Sequence, residues 1–182
     1  MLPLTLDLTR IPVLLIGEGE KALARLRALD EAGAADLRVH SETPSKILAE
    51  KAGARLRRHL PSAGEWRAAR LVFIADEAAL PRHRLARQAR ENGVLVHCED
   101  DPESSDLHAP AVLRRGALTL AISTTGRAPA LSGVIKRFLG TLFGPEWSSY
   151  LEELATLRRD WREGGANPAL IADRTEAWFN RH

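Results

Sequence analysis

A short apolar run that ends in a glycine-containing turn lies near the start of the sequence. The run covers residues 11–16, and its continuation reads Gly17, Glu18, Gly19, Glu20, Lys21, Ala22. An amphipathic helical pattern follows this Gly-x-Gly-x-x-Ala spacing at once, as it does where a dinucleotide-binding unit begins with a strand, a turn and a helix. Gly17 would permit the tight turn, Gly19 would let a pyrophosphate approach the backbone, and Ala22 would let the helix pack closely on the strand. The start of that helix would offer free N–H groups to phosphates.

Short apolar segments alternate with helical patterns through the first half of the chain. The predicted strands cover residues 13–16, 37–40, 56–60, 71–75 and 94–98. The predicted helices cover residues 21–32, 45–52 and 77–92, each ending at a glycine, with a shorter helical turn at 63–69. This alternation predicts an α/β fold with a parallel sheet covered on both faces.

The pattern changes after Asp100. A predicted hairpin, with strands at 111–113 and 118–123, surrounds the sequence Arg-Arg-Gly at 114–116, and a loop at 124–127 follows. Helices are predicted at 129–143, 146–162 and 168–180. We therefore predict three parts, 1–110, 111–145 and 146–182. The short apolar strands of the middle part need more cover than a small appendage provides, which favours a homodimer formed through this region.

Composition narrows the classes of partner and the compartment. The net charge of +2 does not favour nucleic acid as a partner. The single cysteine, Cys98, excludes an internal disulfide framework and fits a reducing compartment. No apolar run is long enough to span a membrane, and the first residues lack the features of a signal peptide. We therefore expect a soluble, cytoplasmic protein without a membrane partner.

Two polar segments follow predicted strands, at the edge where open α/β sheets bind ligands. Asp100 and Asp101 follow the fifth strand, so a carboxylate there could contact cofactor and substrate, although Asp-Asp-Pro could equally form only a turn. Ser41, Glu42 and Thr43 follow the second strand, where an acidic side chain usually meets the ribose hydroxyls. Glu42 would then favour NAD over NADP, and the alternative is that this segment caps the next helix.

The remaining polar candidates lie in a loop and among scattered histidines. Residues 123–127, Ser-Thr-Thr-Gly-Arg, precede a helix and could cradle an anion, or could simply cap that helix. The sequence spacing of the histidines predicts no zinc site held by the protein, and packing is the favoured role of the one at position 97. These histidines are His40, His59, His83, His97 and His108.

Four segments together resemble a known family. Residues 2–8 resemble its Leu-Pro-Ile opening, residues 17–34 its nucleotide turn and first helix, and residues 96–100 its Val-Asn-Val-Val-Asp element. Residues 109–131, from Ala-Pro-Ala-Val-Leu-Arg-Arg-Gly onward, are similar to its most distinctive stretch. Over its whole length the chain resembles the precorrin-2 dehydrogenase / sirohydrochlorin ferrochelatase family, which includes the N-terminal module of siroheme synthase.

The resemblance implies a fold, a reaction and a set of site residues. Family members oxidise precorrin-2 to sirohydrochlorin with NAD, and some then insert ferrous iron to give siroheme. Their fold combines a Rossmann domain, an intertwined dimerisation region and a small helical domain. Asp100 matches the catalytic aspartate. The tetrapyrrole-facing loop matches Ser123, Thr124, Thr125, Gly126 and Arg127. The cofactor site implied by the motif and the resemblance comprises Gly17, Gly19, Glu20, Lys21, Ser41, Glu42, Thr43 and Asp76.

The chain also departs from the family pattern. Glu18 replaces the middle glycine of the turn, Ala75 stands where Thr precedes Asp76, and His97 stands where Asn is usual. Ala128 occupies a position that is often Ser. Dehydrogenation is the leading interpretation, iron insertion at the same cleft is a second, and a cofactor-binding or tetrapyrrole-binding protein that has lost catalysis is a third.

Overall fold

Five parallel strands form one sheet in the computed structural model, which describes residues 2–76 and 81–182. The strand order across the sheet is β3-β2-β1-β4-β5. The strands are β1 (Val13–Ile16), β2 (Leu37–His40), β3 (Leu56–Arg57), β4 (Leu71–Ile74) and β5 (Leu95–Cys98). The chain therefore builds outward from β1 in one direction and then returns to lay β4 and β5 on the other side. The carboxyl ends of β1 and β4 lie side by side where the strand order reverses, which is where such sheets bind ligands.

Helices cover both faces of this sheet. They are α1 (Gly19–Glu31), α2 (Lys46–Ala52), α3 (Ala63–Ala68) and α4 (Arg82–Glu91), with a 3₁₀ turn at Gly53–Arg55. Alternate residues of β1 enter two separate apolar clusters: Val13 and Leu15 pack with residues of α1 and α2, whereas Leu14 and Ile16 pack with Trp66 and residues of α4. Because every side chain of β1 is buried, the strand reads as a continuous apolar run. The predicted Rossmann-type parallel sheet is confirmed.

Several predicted boundaries differ from the structure. The third strand was predicted at 56–60 but ends at Arg57, because its neighbour β2 ends at His40 and offers no further ladder partner. Beyond that point the His59 carbonyl bonds the His40 ring instead of a strand. The fourth strand ends at Ile74 rather than at residue 75, and the fifth begins at Leu95 rather than at residue 94.

The helix predictions are confirmed in position, with shifts at their ends. The first helix begins at Gly19, two residues before the predicted start, and Ser45 caps the second helix from outside it. Of the helix predicted at 77–92, α4 accounts for Arg82–Glu91, and residues 77–80 lie outside the described residues.

The second part of the chain contains a hairpin and three helices. Contacts divide the chain into two units, Met1–Ala109 and Pro110–His182. The second unit contains β6 (Ala111–Arg115), β7 (Leu118–Ile122), α5 (Pro129–Leu142), α6 (Trp147–Glu163) and α7 (Pro168–Phe179). Arg114 and Arg115, predicted as part of the turn, belong to β6, because each pairs with a residue of β7. The separation of a dimerisation region from a helical domain at residue 145 stays a prediction.

Packing within the second unit differs between its two halves. Helix α5 packs against β6 and β7, and α6 packs against α7. Rings of α6 and α7 meet edge to face, with centroids of Trp147 and Trp178 6.4 Å apart, and the Trp178 indole N–H donates to Glu153 over 3.2 Å. The tryptophans at these two positions therefore serve packing, as predicted. Among the residues that the structure describes, no helix has both the length and the apolar character needed to cross a membrane.

Candidate cofactor and catalytic site

The turn after β1 packs directly against the end of β4. Gly17 has a φ of 153°, and a Cβ atom at this position would lie 1.8 Å from the carbonyl oxygen of Ala75. Gly19 has a φ of 71°, a left-handed conformation that favours glycine. Both glycines of the predicted motif are thus required by the backbone itself. The turn leads straight into α1, whose first N–H groups are available to an anionic ligand.

Glu18, between these glycines, extends across to the residues that follow β2. Its carboxylate accepts hydrogen bonds from the Thr43 backbone N–H (2.7 Å), from the Thr43 hydroxyl and from the Ser41 hydroxyl (3.4 Å). The hydrogen bond from the Thr43 hydroxyl, followed by that from its N–H, lowers the pKa of Glu18. A fixed anion therefore lies at the carboxyl end of β2, and it belongs to Glu18. The Glu42 side chain nearby is exposed.

The alternative helix-capping role of residues 41–43 is wrong. The N-cap of α2 is Ser45, whose hydroxyl accepts the Leu48 N–H over 3.2 Å. The side chains of Ser41 and Thr43 are committed to Glu18 instead. Sequence reasoning placed the acidic side chain of this edge at Glu42, because it considered only residues that follow β2 and not one that reaches across from the first turn.

The candidate catalytic carboxylate is tied to the glycine turn. Asp100, just beyond β5, has a left-handed φ of 58°, and its side chain is 73% exposed. It forms an ion pair with Lys21, which lies in the first turn of α1, and the Lys21 Nζ is 2.8 Å from the Asp100 Oδ2. The ion pair thus connects Lys21, which the sequence predicts to bind the cofactor, with Asp100, which the sequence predicts to be catalytic. An exposed ion pair of this kind stabilises the fold by less than about 1 kcal/mol, so either charge can exchange its partner for a ligand at little cost.

Other predicted residues of this edge have structural partners. Asp101 accepts the Ser104 N–H over 3.1 Å, which is the turn-forming role considered for it, and the Ser104 side chain contributes most to lowering its pKa. Asp76, after β4, is buried, and its carbonyl oxygen accepts a hydrogen bond from Arg82 over 2.6 Å. Glu20 is exposed in the first turn of α1. The cofactor roles of Asp76 and Glu20 stay predictions.

A half-buried charge network that sequence reasoning missed lies beside Asp100. The Glu99 carboxylate accepts hydrogen bonds from two nitrogens of the Arg25 guanidinium, one of them over 2.7 Å from Nε. His97 Nε2 lies 3.6 Å from the same oxygen, and the Arg25 guanidinium lies over the Phe73 ring at 5.0 Å. Burial by itself would raise the pKa of Glu99, but the nearby His97 ring and the Arg25 charge lower it to about 2. One feature of the sequence could have indicated that Arg25 belongs to the site: it lies one helical turn beyond Lys21, on the same face of α1.

This network anchors the chain at the residue before Asp100. The Glu99 N–H donates to the Ile74 carbonyl over 2.9 Å, and His97 Nδ1 lies 3.1 Å from the Leu107 carbonyl. His97 was predicted to serve packing, and its 6% exposure and its ring contact with Phe73 confirm that role. Because Glu99 is held on both its backbone and its side chain, the position of Asp100 is set by the sheet.

The predicted substrate loop belongs to the second unit and is internally ordered. Thr125 and Gly126 both have left-handed φ values, 51° and 78°. The Thr124 hydroxyl accepts the Ala128 N–H over 3.2 Å, and the Ser123 hydroxyl accepts the Thr125 N–H over 3.1 Å. The N-cap of α5 is Ala128, and no side chain of this fully described loop caps the helix, so the helix-capping alternative is wrong. The side chains of Ser123 and Arg127 are exposed, so the loop also keeps polar groups available to a ligand.

The sheet order, the glycine turn at the reversal point and the free helix start define a nucleotide-binding α/β domain. Residues 4–111 match the profile of the family described as "NAD_binding_7: Putative NAD(P)-binding". The chain belongs to this NAD(P)-binding family, because the match covers more than half of it.

Several proteins similar to this chain are siroheme synthases. A siroheme synthase of Azotobacter vinelandii is 35% identical over 77% of the present chain. A siroheme synthase of Ectopseudomonas mendocina is 33% identical over 89% of the present chain. A siroheme synthase of Methylococcus capsulatus is 29% identical over 92% of the chain. These matches cover 31%, 34% and 36% of the respective relatives, so the chain spans about a third of their length. The resemblance seen in the sequence is confirmed.

A solved structure shares the fold. The protein named "SirC, precorrin-2 dehydrogenase" superposes with a TM-score of 0.73 at 24% sequence identity, covering 95% of this chain and 86% of that one. At this identity the likeness establishes the fold.

The half-buried Arg25–Glu99 pair predicts a loss of stability in acid. The pKa of Glu99 falls from 4.5 to about 2 on folding, so the pair stabilises the fold fully above about pH 4.5 and loses this contribution as the pH falls toward about 2. Glu99→Gln should lower the free energy of unfolding near neutral pH by up to about 3 kcal/mol, and its deficit relative to the wild type should shrink in acid.

Urea unfolding of both proteins between about pH 6 and about pH 3 measures this difference. Glu103→Gln removes an exposed carboxylate four residues away and serves as the control, because its stability should track the wild type throughout. A Glu99→Gln deficit that is constant over the whole range would contradict the assignment.

Proposed function

We propose that this chain is an NAD-dependent precorrin-2 dehydrogenase that forms sirohydrochlorin on the route to siroheme. The observation that carries the proposal is the 2.8 Å ion pair between Lys21 and Asp100, which places a candidate base beside the turn expected to hold the cofactor. The names of the similar proteins, siroheme synthases and a precorrin-2 dehydrogenase, supply the substrate.

The turn residues fit a dinucleotide. Gly17 lets the turn pack against Ala75, Gly19 leaves the backbone bare where a pyrophosphate would approach, and the start of α1 supplies N–H donors and a partial positive charge. The bound nicotinamide ring would accept a hydride from the substrate. The residues of this chain would hold the dinucleotide and accept the proton that leaves with the hydride.

Asp100 is the proposed proton acceptor. Oxidation of precorrin-2 to sirohydrochlorin removes two hydrogens, one as a hydride and one as a proton, so a carboxylate near the macrocycle completes the balance. Asp100 is exposed and forms an ion pair with the half-buried Lys21, so its carboxylate is accessible to a proton donor. Asp101 is a poorer candidate because its carboxylate already accepts the Ser104 N–H.

Arg127 and its loop are the proposed contacts of the substrate carboxylates. The loop combines an exposed guanidinium, two exposed hydroxyls at Ser123 and Thr125, and a glycine in the left-handed conformation. Arginine binds carboxylates in a bidentate manner, and precorrin-2 carries several of them.

The two other interpretations of the sequence can be separated by assay. Iron insertion would use the same exposed carboxylate to take protons from the pyrrole nitrogens, and it would appear as metallation of sirohydrochlorin by ferrous iron. A protein that has lost catalysis would bind NAD or sirohydrochlorin without forming NADH. We propose a cytoplasmic location because the sequence has a single cysteine, Cys98, and therefore no internal disulfide, as is usual in a reducing compartment.

Helix α5 supports a homodimer. Four large apolar side chains recur along one side of this helix and are exposed in the single chain: Leu131, Val134, Phe138 and Leu142. Their spacing of three or four residues places them on one stripe. An apolar stripe of this length is characteristic of an interface, and a two-fold partner would bury it.

Replacing the proposed base should slow turnover and leave binding intact. Asp100→Asn keeps the shape and removes the charge, so NADH formation from precorrin-2 should fall about 100- to 10,000-fold while the affinity for NAD changes little. Anaerobic NADH absorbance measures the rate, and Asp101→Asn is the matched control expected to stay near the wild-type rate. An unchanged rate in Asp100→Asn would exclude it as the base.

The fixed Glu18 carboxylate should decide the choice of cofactor. It lies where the ribose of a bound dinucleotide is normally met, so it would repel a 2′-phosphate and favour NAD over NADP. Glu18→Gln should reduce the ratio of NAD to NADP affinities at least about tenfold, because it removes a close charge repulsion. Calorimetry with both dinucleotides measures the ratio. Glu42→Gln is the comparison: if it alone reduces the ratio, the ribose ligand is Glu42 and the role proposed for Glu18 is wrong.

A charge on the α5 stripe should dissociate the dimer. Light scattering should give the mass of two chains for the wild type, and Phe138→Glu should give the mass of one, because it buries a charge in the interface. Lys136→Glu, on the opposite side of α5, should remain dimeric. A wild-type protein that is monomeric at micromolar concentration would overturn the proposal.

A further inference from the structure

Three possible metal ligands meet at the outer side of β2. His40 is the last residue of β2, His59 follows β3, and Glu65 lies in the first turn of α3. Their ligand atoms all lie within 4.8 Å of one another, although 25 residues separate the first from the last. Parallel pairing of β3 with β2 brings them together, because His40 is in register with Arg57, two residues before His59.

The His40 ring presents an unpaired nitrogen to this cluster. Its Nδ1 lies 2.8 Å from the His59 carbonyl oxygen, which can only accept, so Nδ1 carries the proton. In the neutral ring Nε2 is then a lone-pair acceptor. The residue is fully buried, and among the residues that the structure describes no hydrogen-bond partner reaches Nε2. A buried polar atom without a partner is costly, so its retention requires an explanation.

His59 is oriented in the same way. Its Nδ1 lies 2.8 Å from the Leu60 carbonyl oxygen, which leaves Nε2 as the acceptor. The ring meets that of His40 edge to face at 5.5 Å. Histidines that bind metals usually donate their second ring N–H to a backbone carbonyl, and both rings here have that arrangement. The His59 ring is exposed, so solvent ions can reach the cluster.

Glu65 is held with one oxygen free for the cluster. Its Oε2 accepts the Ser62 N–H (2.8 Å) and the Ser62 hydroxyl (2.7 Å), which form the capping box of α3. Its Oε1 lies 3.7 Å from His40 Nε2, too far for a hydrogen bond. A direct contact between Glu65 and His40 therefore does not satisfy the buried nitrogen.

We propose that His40 Nε2, His59 Nε2 and Glu65 Oε1 bind a divalent transition-metal ion, with Zn²⁺ the best match. Two imidazoles and a carboxylate suit Zn²⁺, Co²⁺ and Ni²⁺, whereas Ca²⁺ and Mg²⁺ prefer all-oxygen sites. Tetrahedral ligands about 2.0–2.1 Å from zinc lie about 3.3 Å apart, so modest rotation of the exposed His59 ring and of Glu65 would close the site. Three protein ligands leave the fourth position to water.

The bound ion would hold the segment between β3 and α3 against the end of β2. This position is also next to Ser41, whose hydroxyl bonds the Glu18 carboxylate, so the metal would stiffen the segment that carries part of the proposed cofactor site. The site does not depend on the proposed dehydrogenase activity, since none of its three residues is assigned to cofactor or substrate.

Metal titration of the full-length, untagged chain tests this proposal. After removal of metal with a chelator, Zn²⁺ should bind one ion per chain in calorimetry, and Co²⁺ should give the visible absorption of a tetrahedral complex. Both metals should raise the Tm. These readouts need neither NAD nor tetrapyrrole, so their failure would leave the proposed dehydrogenase activity untouched.

Three variants locate the site. His59→Gln changes an exposed residue, and Glu65→Gln preserves the capping box, because glutamine can also fill that position, so both variants should fold. Each should weaken Zn²⁺ binding more than the roughly 10- to 100-fold that follows loss of an outer-shell partner. His108→Gln removes an imidazole elsewhere in the same unit and should bind like the wild type. Absence of the Co²⁺ absorption in the wild type, or wild-type Zn²⁺ affinity in both ligand variants, would overturn the proposal.

Discussion

The contact between the first glycine turn and the end of β4 governs the arrangement of the candidate site. With a Cβ position only 1.8 Å from the Ala75 carbonyl, Gly17 can be replaced by no other residue without moving one of the two strands. This close approach lets α1 begin immediately above the point where the strand order reverses. Glu18 and Lys21 are consequently placed on either side of that point, one toward β2 and the other toward β5.

Three carboxylates at this edge are distinguished by their partners. Glu18 is held by hydroxyl and N–H donors, which favour its anionic form. Glu99 is half-buried against Arg25, and its role is to hold the chain. Asp100, one residue further, is exposed and pairs loosely with Lys21. Neighbouring acidic residues thus differ in burial and in donors, which suits Glu18 to the proposed role in cofactor choice and Asp100 to the proposed role in proton transfer.

The contacts of Glu18 and His97 explain how two departures from the family pattern fit the structure. Glu18 is an unusual residue for a phosphate-binding turn, yet the structure directs its carboxylate away toward Thr43. His97 lies 3.6 Å from the half-buried Glu99 and 3.1 Å from the Leu107 carbonyl, so it has a structural use where the family has asparagine. Neither substitution requires that the nucleotide turn be lost. His40, also at the end of a strand, is instead explained by the cluster it forms with His59 and Glu65.

The sequence by itself determined the sheet, the glycine turn and the family, because these depend on short-range patterns. Apolar runs, glycine spacing and helix ends are read from neighbouring residues, and Gly17, Gly19 and Asp100 were all found in that way. Only the tertiary structure decided which side chains meet. The Glu18–Thr43 contact, the Arg25–Glu99 pair and the His40–His59–Glu65 cluster each span 25 to 74 positions from their first residue to their last. Such pairings follow from strand order and register, which bring distant chain segments to the same edge, and no local spacing in the sequence encodes them.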